Sequence, residues 1–85
     1  MFPVEVFGTD RECSLLAAAV RKAADFVGIA IKLVRVERPD QIAARGVATT
    51  PAVAVDGAIK CQGSVPSQAD LTTWLTTAAL KYETV

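Results

Sequence analysis

Hydrophobic and polar residues alternate in two segments that predict β-strands. Val4 and Val6 alternate with Pro3 and Glu5 near the start of the chain, a pattern typical of a short strand over residues 3–7. Residues 29–36 alternate in the same way until Leu33 and Val34 stand side by side. This interruption indicates either a β-bulge or a strand covered on both faces.

The segment between these strands has the spacing of a helix. Thr9 or Asp10 can act as its N-cap, and Gly28 stands where a left-handed C-cap is expected. Apolar residues recur every three or four positions and predict a buried stripe. This stripe consists of Leu15, Leu16, Ala19, Val20, Ala23, Phe26 and Val27.

Two further helices are predicted in the second half of the chain. A short one covers residues 39–45, because Pro39 suits the first turn of a helix and Gly46 follows its end. The last begins near Ser67, whose spacing from Asp70 resembles a capping box. Its apolar stripe consists of Leu71, Trp74, Leu75, Ala78, Ala79 and Tyr82.

A tight hairpin is predicted between the last two helices. Asp56-Gly57 separates two apolar runs, and this dipeptide favours a type I′ turn because both positions need a positive φ. Pro51 lacks a backbone N–H and suits the beginning of the first hairpin strand. The order of elements is therefore βαβαββα, which combines one right-handed parallel crossover with an antiparallel hairpin in a single domain, residues 1–85.

Regular pairing in this hairpin also predicts the position of Cys61 in the sheet. A two-residue loop puts Ala52 opposite Cys61 and Ala54 opposite Ile59. Cys61 should then share the sheet face of Ile59 and lie close to Pro51. The residue can be a buried filler under the last helix or a second thiol near the site.

The composition excludes several classes of function. The formal net charge is zero, so nothing electrostatic favours a nucleic acid or an anionic membrane surface as a partner. The chain has no histidine, which excludes Ser-His and Cys-His hydrolases and zinc sites that use imidazole. No signal peptide or membrane-spanning segment is predicted, and the expected location is the cytoplasm, where two cysteines would remain reduced.

Four features of the chain form a recognisable set: Thr50-Pro51-Ala52-Val53, Asp56-Gly57, Gly63-Ser64-Val65-Pro66-Ser67 and a cysteine near the start of the first helix. Together they resemble the thioredoxin superfamily, most closely its small redox-active disulfide proteins. The resemblance implies an α/β thioredoxin-like fold with a four-stranded mixed sheet in the order 2-1-3-4. It also implies helices on both faces, with the short middle helix on the face opposite the other two, and a cis Thr50–Pro51 bond where Thr50 and Pro51 bind an extended substrate.

The site departs from the family at one position. Where the family has Cys-x-x-Cys, this chain has Asp10-Arg11-Glu12-Cys13, so the attacking cysteine is replaced by Asp10 and Cys13 corresponds to the resolving cysteine. Asp10 is interpreted as a helix cap. Cys13 is either a weak catalytic thiol or a small apolar residue packed under the loop.

Three functions follow from these residues. The first is a thiol–disulfide redox role through Cys13, alone or with Cys61 as a displaced partner, acting on protein thiols or glutathione without a further cofactor. The second is a redox-inactive module that binds an extended peptide beside Pro51. The third is a soft-metal site, which two thiolates support only for a linear Cu(I)-type geometry; no metal is predicted. The two sulfurs are predicted to lie about 10 Å apart or less, without the separation of about 2 Å that a disulfide has.

Overall fold

The computed structural model describes residues 1–83 and contains four strands and three helices within that range. The elements in chain order are β1 (Phe2–Phe7), α1 (Asp10–Val27), β2 (Ile31–Val36), α2 (Pro39–Ala44), β3 (Ala52–Val55), β4 (Ala58–Gln62) and α3 (Gln68–Glu83). The strands form one sheet in the order β2-β1-β3-β4. β1 pairs in parallel with β2 and antiparallel with β3, and β4 pairs antiparallel with β3. The predicted thioredoxin-like order is confirmed.

The two faces of the sheet bury separate hydrophobic clusters. Val4, Val6 and Val53 face a large cluster that includes residues of α1 and α3. Phe7 and Ala54 belong to a smaller cluster on the other face, against which Ile42 of α2 packs. The α1 and α3 helices therefore share one face, and α2 lies on the other, because side chains alternate between the faces of a strand.

The interrupted alternation in β2 has a simple explanation. Its register with β1 is continuous over six residue pairs, from Ile31 to Val36, so no bulge is present there. Leu33 packs against the large cluster, whereas Val34 packs against the small one. The strand is covered on both faces, which was one of the two predicted alternatives.

The beginning of α1 corrects the interpretation of Asp10 as a cap. Thr9 is the N-cap: its hydroxyl accepts a hydrogen bond from the amide of Glu12, whose carboxylate accepts one from the amide of Thr9. This reciprocal capping box satisfies two backbone donors at the helix start. Asp10 is the first helical residue and points into solvent. The left-handed cap at Gly28 is present, with a φ of 70°.

Two members of the predicted stripe on α1 do not lie in the core. Leu15 is 57% exposed and Phe26 is 83% exposed, whereas Val20 is fully buried. A helix turns about 100° per residue, which places Leu15 and Phe26 well over a right angle away from Val20. Cys13 and Ala24 complete the buried face instead. Helical spacing identified the correct helix but too wide a buried stripe.

The hairpin turn is as predicted, but the pairing beyond it is not. Asp56 and Gly57 have φ values of 52° and 86°, which suit a type I′ turn. The register then shifts: Cys61 pairs with Val53 rather than with Ala52. Lys60 is the extra residue of a β-bulge, because Ile59 still pairs with Ala54.

This bulge reverses the predicted orientation of Cys61. Cys61 packs against the large cluster beneath α1 and α3, whereas Ile59 packs against the small cluster on the opposite face. The prediction that the two residues share a face is therefore wrong. One extra residue in a strand moves every later side chain to the other face, because the side-chain period is two.

Candidate functional site

The candidate site lies where β1 ends and α1 begins. Phe7 pairs with Val36 at the end of both parallel strands, and the Gly8 amide donates to the Val36 carbonyl over 3.2 Å. The chain turns at Gly8 into the capped start of α1. The Thr50–Pro51 peptide bond, which precedes β3, is cis.

Cys13 is enclosed by the backbone at this turn. The residue has no exposed surface, and its Sγ lies 3.4 Å from the Val6 carbonyl oxygen and 3.6 Å from that of Gly8. A thiol can donate its hydrogen to these oxygens, whereas a thiolate would be repelled by them. Burial raises the pKa of Cys13 above its ordinary value, and the nearby Glu37 carboxylate raises it further. Both effects favour the protonated, unreactive thiol.

An ion-pair network surrounds Asp10 at the start of α1. The Asp10 carboxylate lies 2.7 Å from the Arg35 guanidinium, which also binds Glu37 over 3.0 Å. The Asp10 side chain is 85% exposed, so the pair contributes about 0–1 kcal/mol to stability. Position 10 is therefore open to solvent and carries no nucleophile, while the thiol at position 13 is buried.

Cys61 lies two strands away from the end of β1. Val6 pairs with Val53, which pairs with Cys61. Because neighbouring strands lie about 4.8 Å apart, roughly 10 Å separates the backbones of Val6 and Cys61. Both cysteines are free. The sulfur–sulfur separation predicted from the sequence stays a prediction.

The environment of Cys61 differs from that of Cys13. Cys61 is partly exposed, and its Sγ lies 3.8 Å from the Ser64 carbonyl oxygen. Burial is the main cause of its raised pKa. Both thiols are therefore poor nucleophiles at neutral pH, but Cys61 is the more accessible of the two.

A cavity of about 370 Å³ opens beside the turn, and we call it the Thr50 groove. It lies between the start of α1, the α2 helix and the loop that precedes Pro51. Its walls are mostly apolar, and Glu37 is their charged residue. The lining residues are Gly8, Thr9, Glu37, Pro39, Ile42, Ala43, Val47, Ala48 and Thr50.

Gln62, at the end of β4, holds one wall of the groove in place through hydrogen bonds. Its side-chain oxygen accepts hydrogen bonds from the amides of Ala48 and Thr49, over 2.7 Å and 3.3 Å. The Gly63 amide donates to the Pro51 carbonyl over 2.8 Å. Of the two residues predicted to bind a substrate, Thr50 lines the groove and Pro51 does not, and their role in binding stays a prediction. Gln62 was not predicted, because its place beside the loop depends on the bulge at Lys60.

No group of three or more metal-ligating side chains occurs in the part of the chain that the structure describes, residues 1–83. Over the same range, the helices are too short or too polar to cross a membrane.

Alkylation should distinguish the two cysteines. In native protein treated with iodoacetamide near pH 7.5, we expect Cys61 to be modified first and Cys13 only after unfolding. Since the pKa of Cys61 is raised, its native rate should keep rising as the pH passes the ordinary thiol range, about 8.5. Peptide mass spectrometry at several times measures each site, with urea-unfolded protein as the control. Rapid native modification of Cys13 would contradict its enclosure.

Comparisons with known proteins agree with this geometry. A family model for the thioredoxin domain matches residues 3–76, which extends from β1 into α3. The chain is also 31% identical, over 72 residues, to a protein named thioredoxin from Methanothermobacter thermautotrophicus. That alignment covers 84% of this chain and 94% of the archaeal protein. The sheet order, the turn at Gly8 and these two matches together show that the chain belongs to the thioredoxin family.

Proposed function

We propose that this protein binds an extended segment of a partner protein in the Thr50 groove, without thiol–disulfide exchange through Cys13. One observation carries the proposal: the cysteine at the site has no exposed surface, and the exposed position three residues earlier carries an aspartate. The family scaffold is kept, but its attacking group is absent.

The chemistry of disulfide exchange explains why the burial of Cys13 argues against a redox role for this residue. A thiolate must reach one sulfur of the substrate disulfide, form a mixed disulfide and expel the other sulfur as a thiolate. The Cys13 sulfur is enclosed by the Val6 and Gly8 carbonyls, so a disulfide cannot approach it in the observed conformation. The same enclosure weighs against a mixed disulfide between Cys13 and glutathione.

The Thr50 groove has properties that suit an extended peptide. Its volume of about 370 Å³ lies in the range of small ligand sites, about 300–1,000 Å³. Pro39, Ile42 and Val47 offer apolar surface for a side chain, and the Gln62 bonds hold the loop at Ala48 in one position. A pre-formed wall lowers the entropy that binding costs.

Cys61 supports the second candidate, a single-thiol redox role. It is the more accessible thiol, and the chain belongs to a family of redox proteins. Against this role, its pKa is raised by burial and it packs under α3 rather than at the turn that holds Cys13. The binding role is favoured because Thr50 and the turn at Gly8 line the groove, whereas Cys61 pairs with Val53 within the sheet.

A matched pair of variants on α2 tests the proposal. Linear peptides are selected on the immobilised protein from a random display library, and a selected peptide is titrated into 15N-labelled protein. We expect amide shifts at Gly8, Thr9 and Thr50. Ala43→Lys should weaken binding at least about tenfold, as expected when a central contact is lost, whereas Ala44→Lys, which is exposed outside the groove, should bind normally.

Three outcomes would overturn the proposal. The first is a library that yields no binding peptide. The second is a selected peptide whose affinity is the same for Ala43→Lys and for the wild type. The third is unmodified protein that accelerates insulin reduction by dithiothreitol.

A further inference from the structure

Phe26 is an aromatic residue that the fold leaves in water. Its side chain is 83% exposed although it lies within α1, whose opposite face is buried. Single exposed apolar residues are common, but a large apolar surface beside a cavity marks an interaction site. Whether Phe26 belongs to such an interaction site therefore depends on its position relative to α3.

Phe26 forms one wall of a cavity of about 620 Å³, which we call the Phe26 cleft. The cleft lies between the end of α1 and the start of α3, and Ala69 and Thr72 form its opposite wall. The side-chain nitrogen of Gln68, Nε2, donates a hydrogen bond to the Ala19 carbonyl oxygen over 2.9 Å, and this bond joins the two helices at the cleft. The cleft shares no lining residue with the Thr50 groove.

The charges at the cleft are of both signs. Lys22 and Asp25, which lie about one turn apart on α1, both line the cleft. Neither has an ion-pair partner within residues 1–83. The whole chain has zero net charge, so two copies do not repel each other at long range. A surface that carries one cation and one anion can be complementary to itself under two-fold rotation.

We propose that the Phe26 cleft joins two copies of this chain in a two-fold symmetric dimer. Phe26 of each copy enters the cleft of the other, and Lys22 of each copy faces the partner's Asp25. This arrangement buries the exposed aromatic ring and gives both charges a partner. A second copy is the favoured partner because this one surface supplies the aromatic ring, the cleft that receives it and both members of the charge pair.

The dimer is reversible and depends on concentration. A stable interface buries about 800 Å² on each partner, and the whole surface of this chain is 4984 Å². A patch centred on one aromatic residue and two charges is smaller than the interface of an obligate dimer. The monomer keeps its own buried core, so it stays folded when the dimer dissociates.

Sedimentation velocity from about 10 µM to about 1 mM, a range over which a reversible dimer changes population, tests the proposal. We expect the wild type to shift from monomer to dimer. Phe26→Ala should weaken association at least about tenfold, as removal of an anchor residue does. Leu15→Ala is the matched control: Leu15 is another exposed apolar residue of α1 that lies outside the cleft, and its removal should leave association unchanged.

A charge swap tests the two-fold pairing. Lys22→Asp alone opposes two carboxylates across the interface, and Asp25→Lys alone opposes two ammonium groups, so each should weaken the dimer. The double variant restores opposite charges and should restore association. The proposal fails if the wild type is monomeric throughout the range, if Phe26→Ala dimerises normally, or if the double variant is no better than either single one. Thermal denaturation of each variant confirms that it is folded.

Discussion

Replacing Asp10 with cysteine should convert this protein into an active disulfide reductase. The Asp10 side chain is 85% exposed, so a thiol at this position is accessible to a substrate. It also lies in the first turn of α1, where the helix dipole favours a thiolate, and beside the Arg35 guanidinium. The substitution removes only an exposed ion pair, worth about 0–1 kcal/mol, so the fold should be retained.

The reaction uses the two thiols in sequence. The new thiolate attacks a substrate disulfide, forms a mixed disulfide and releases one substrate thiolate. Cys13 then loses its proton, its sulfur attacks the mixed disulfide, and the second substrate thiolate leaves with that proton, so that a disulfide joins positions 10 and 13. Dithiothreitol reduces this bond and restores both thiols. Residues three apart in a helix are neighbours, so the mixed disulfide forms next to Cys13, which must leave the enclosure of the Val6 and Gly8 carbonyls to reach it.

Insulin reduction by dithiothreitol, followed by turbidity, measures the effect. Asp10→Cys should exceed the wild type at least about tenfold, because the wild type has no exposed thiol at the start of α1 and the helix N-terminus favours the reactive thiolate of the new one. The wild type should match the blank. Asp10→Ser and the double variant Asp10→Cys with Cys13→Ser are the controls and should show no turnover. An inactive Asp10→Cys variant that is folded would show that Cys13 is held too rigidly to resolve the mixed disulfide.

Gly8→Ala should cause one of the largest losses of stability for a single methyl group in this chain. Gly8 has a φ of 150°, and a Cβ there would lie 2.7 Å from the Glu12 Oε1 and 2.8 Å from the Glu12 Cβ. That oxygen accepts the hydrogen bond from the Thr9 amide. The substitution therefore strains the backbone and displaces the capping box, and should lower the free energy of unfolding by about 2–4 kcal/mol.

Gly28→Ala is the control for backbone strain alone. Gly28 has a φ of 70°, and nothing lies within 4 Å of a Cβ built there. Its loss should cost about 1–2 kcal/mol, the penalty for a left-handed non-glycine residue. Urea denaturation of both variants and the wild type gives the comparison. Equal losses for the two substitutions would mean that Glu12 moves aside without cost and that the capping box contributes little.

Local signals in the sequence are sufficient to predict the helices, the strands and the hairpin turn. The Asp56-Gly57 turn, the cap at Gly28 and Pro39 at the start of α2 each depend on the conformation of one or two residues. Such preferences are present in the chain before any tertiary contact forms. The order of the strands followed from the family motifs, which cover nearly the whole sequence.

The environment of each cysteine could not be predicted in the same way. Cys61 was assigned to the wrong face because Lys60 carries no sequence signal that distinguishes a bulged residue from a paired one. Thr9 and Asp10 are both candidates for the helix cap from the sequence, and the interpretation of Asp10 as the cap is wrong. Thr9 and Glu12 have the spacing of a capping box, which is the local signal that distinguishes the two.

The groove and the cleft depend on long-range packing. Ile42 and Ala43 become part of a site only because α2 crosses the sheet beside Thr50. Phe26 satisfies helical spacing as well as Ala23 does, yet only the contact between α1 and α3 decides which side faces water. Hydrophobic periodicity locates the buried face of a helix only to within about one residue. The set of residues that line a cavity changes with smaller displacements than that.

The bulge at Lys60 also protects the protein from aggregation. β4 is the outer strand of the sheet, and an unpaired strand edge can recruit a strand from another chain into a growing fibre. The extra residue breaks the regular ladder in the middle of β4, and it is a lysine whose side chain is exposed. An incoming strand would find neither a continuous row of backbone partners nor a neutral surface. The residue that turns Cys61 inward thus also keeps this edge of the sheet from polymerising.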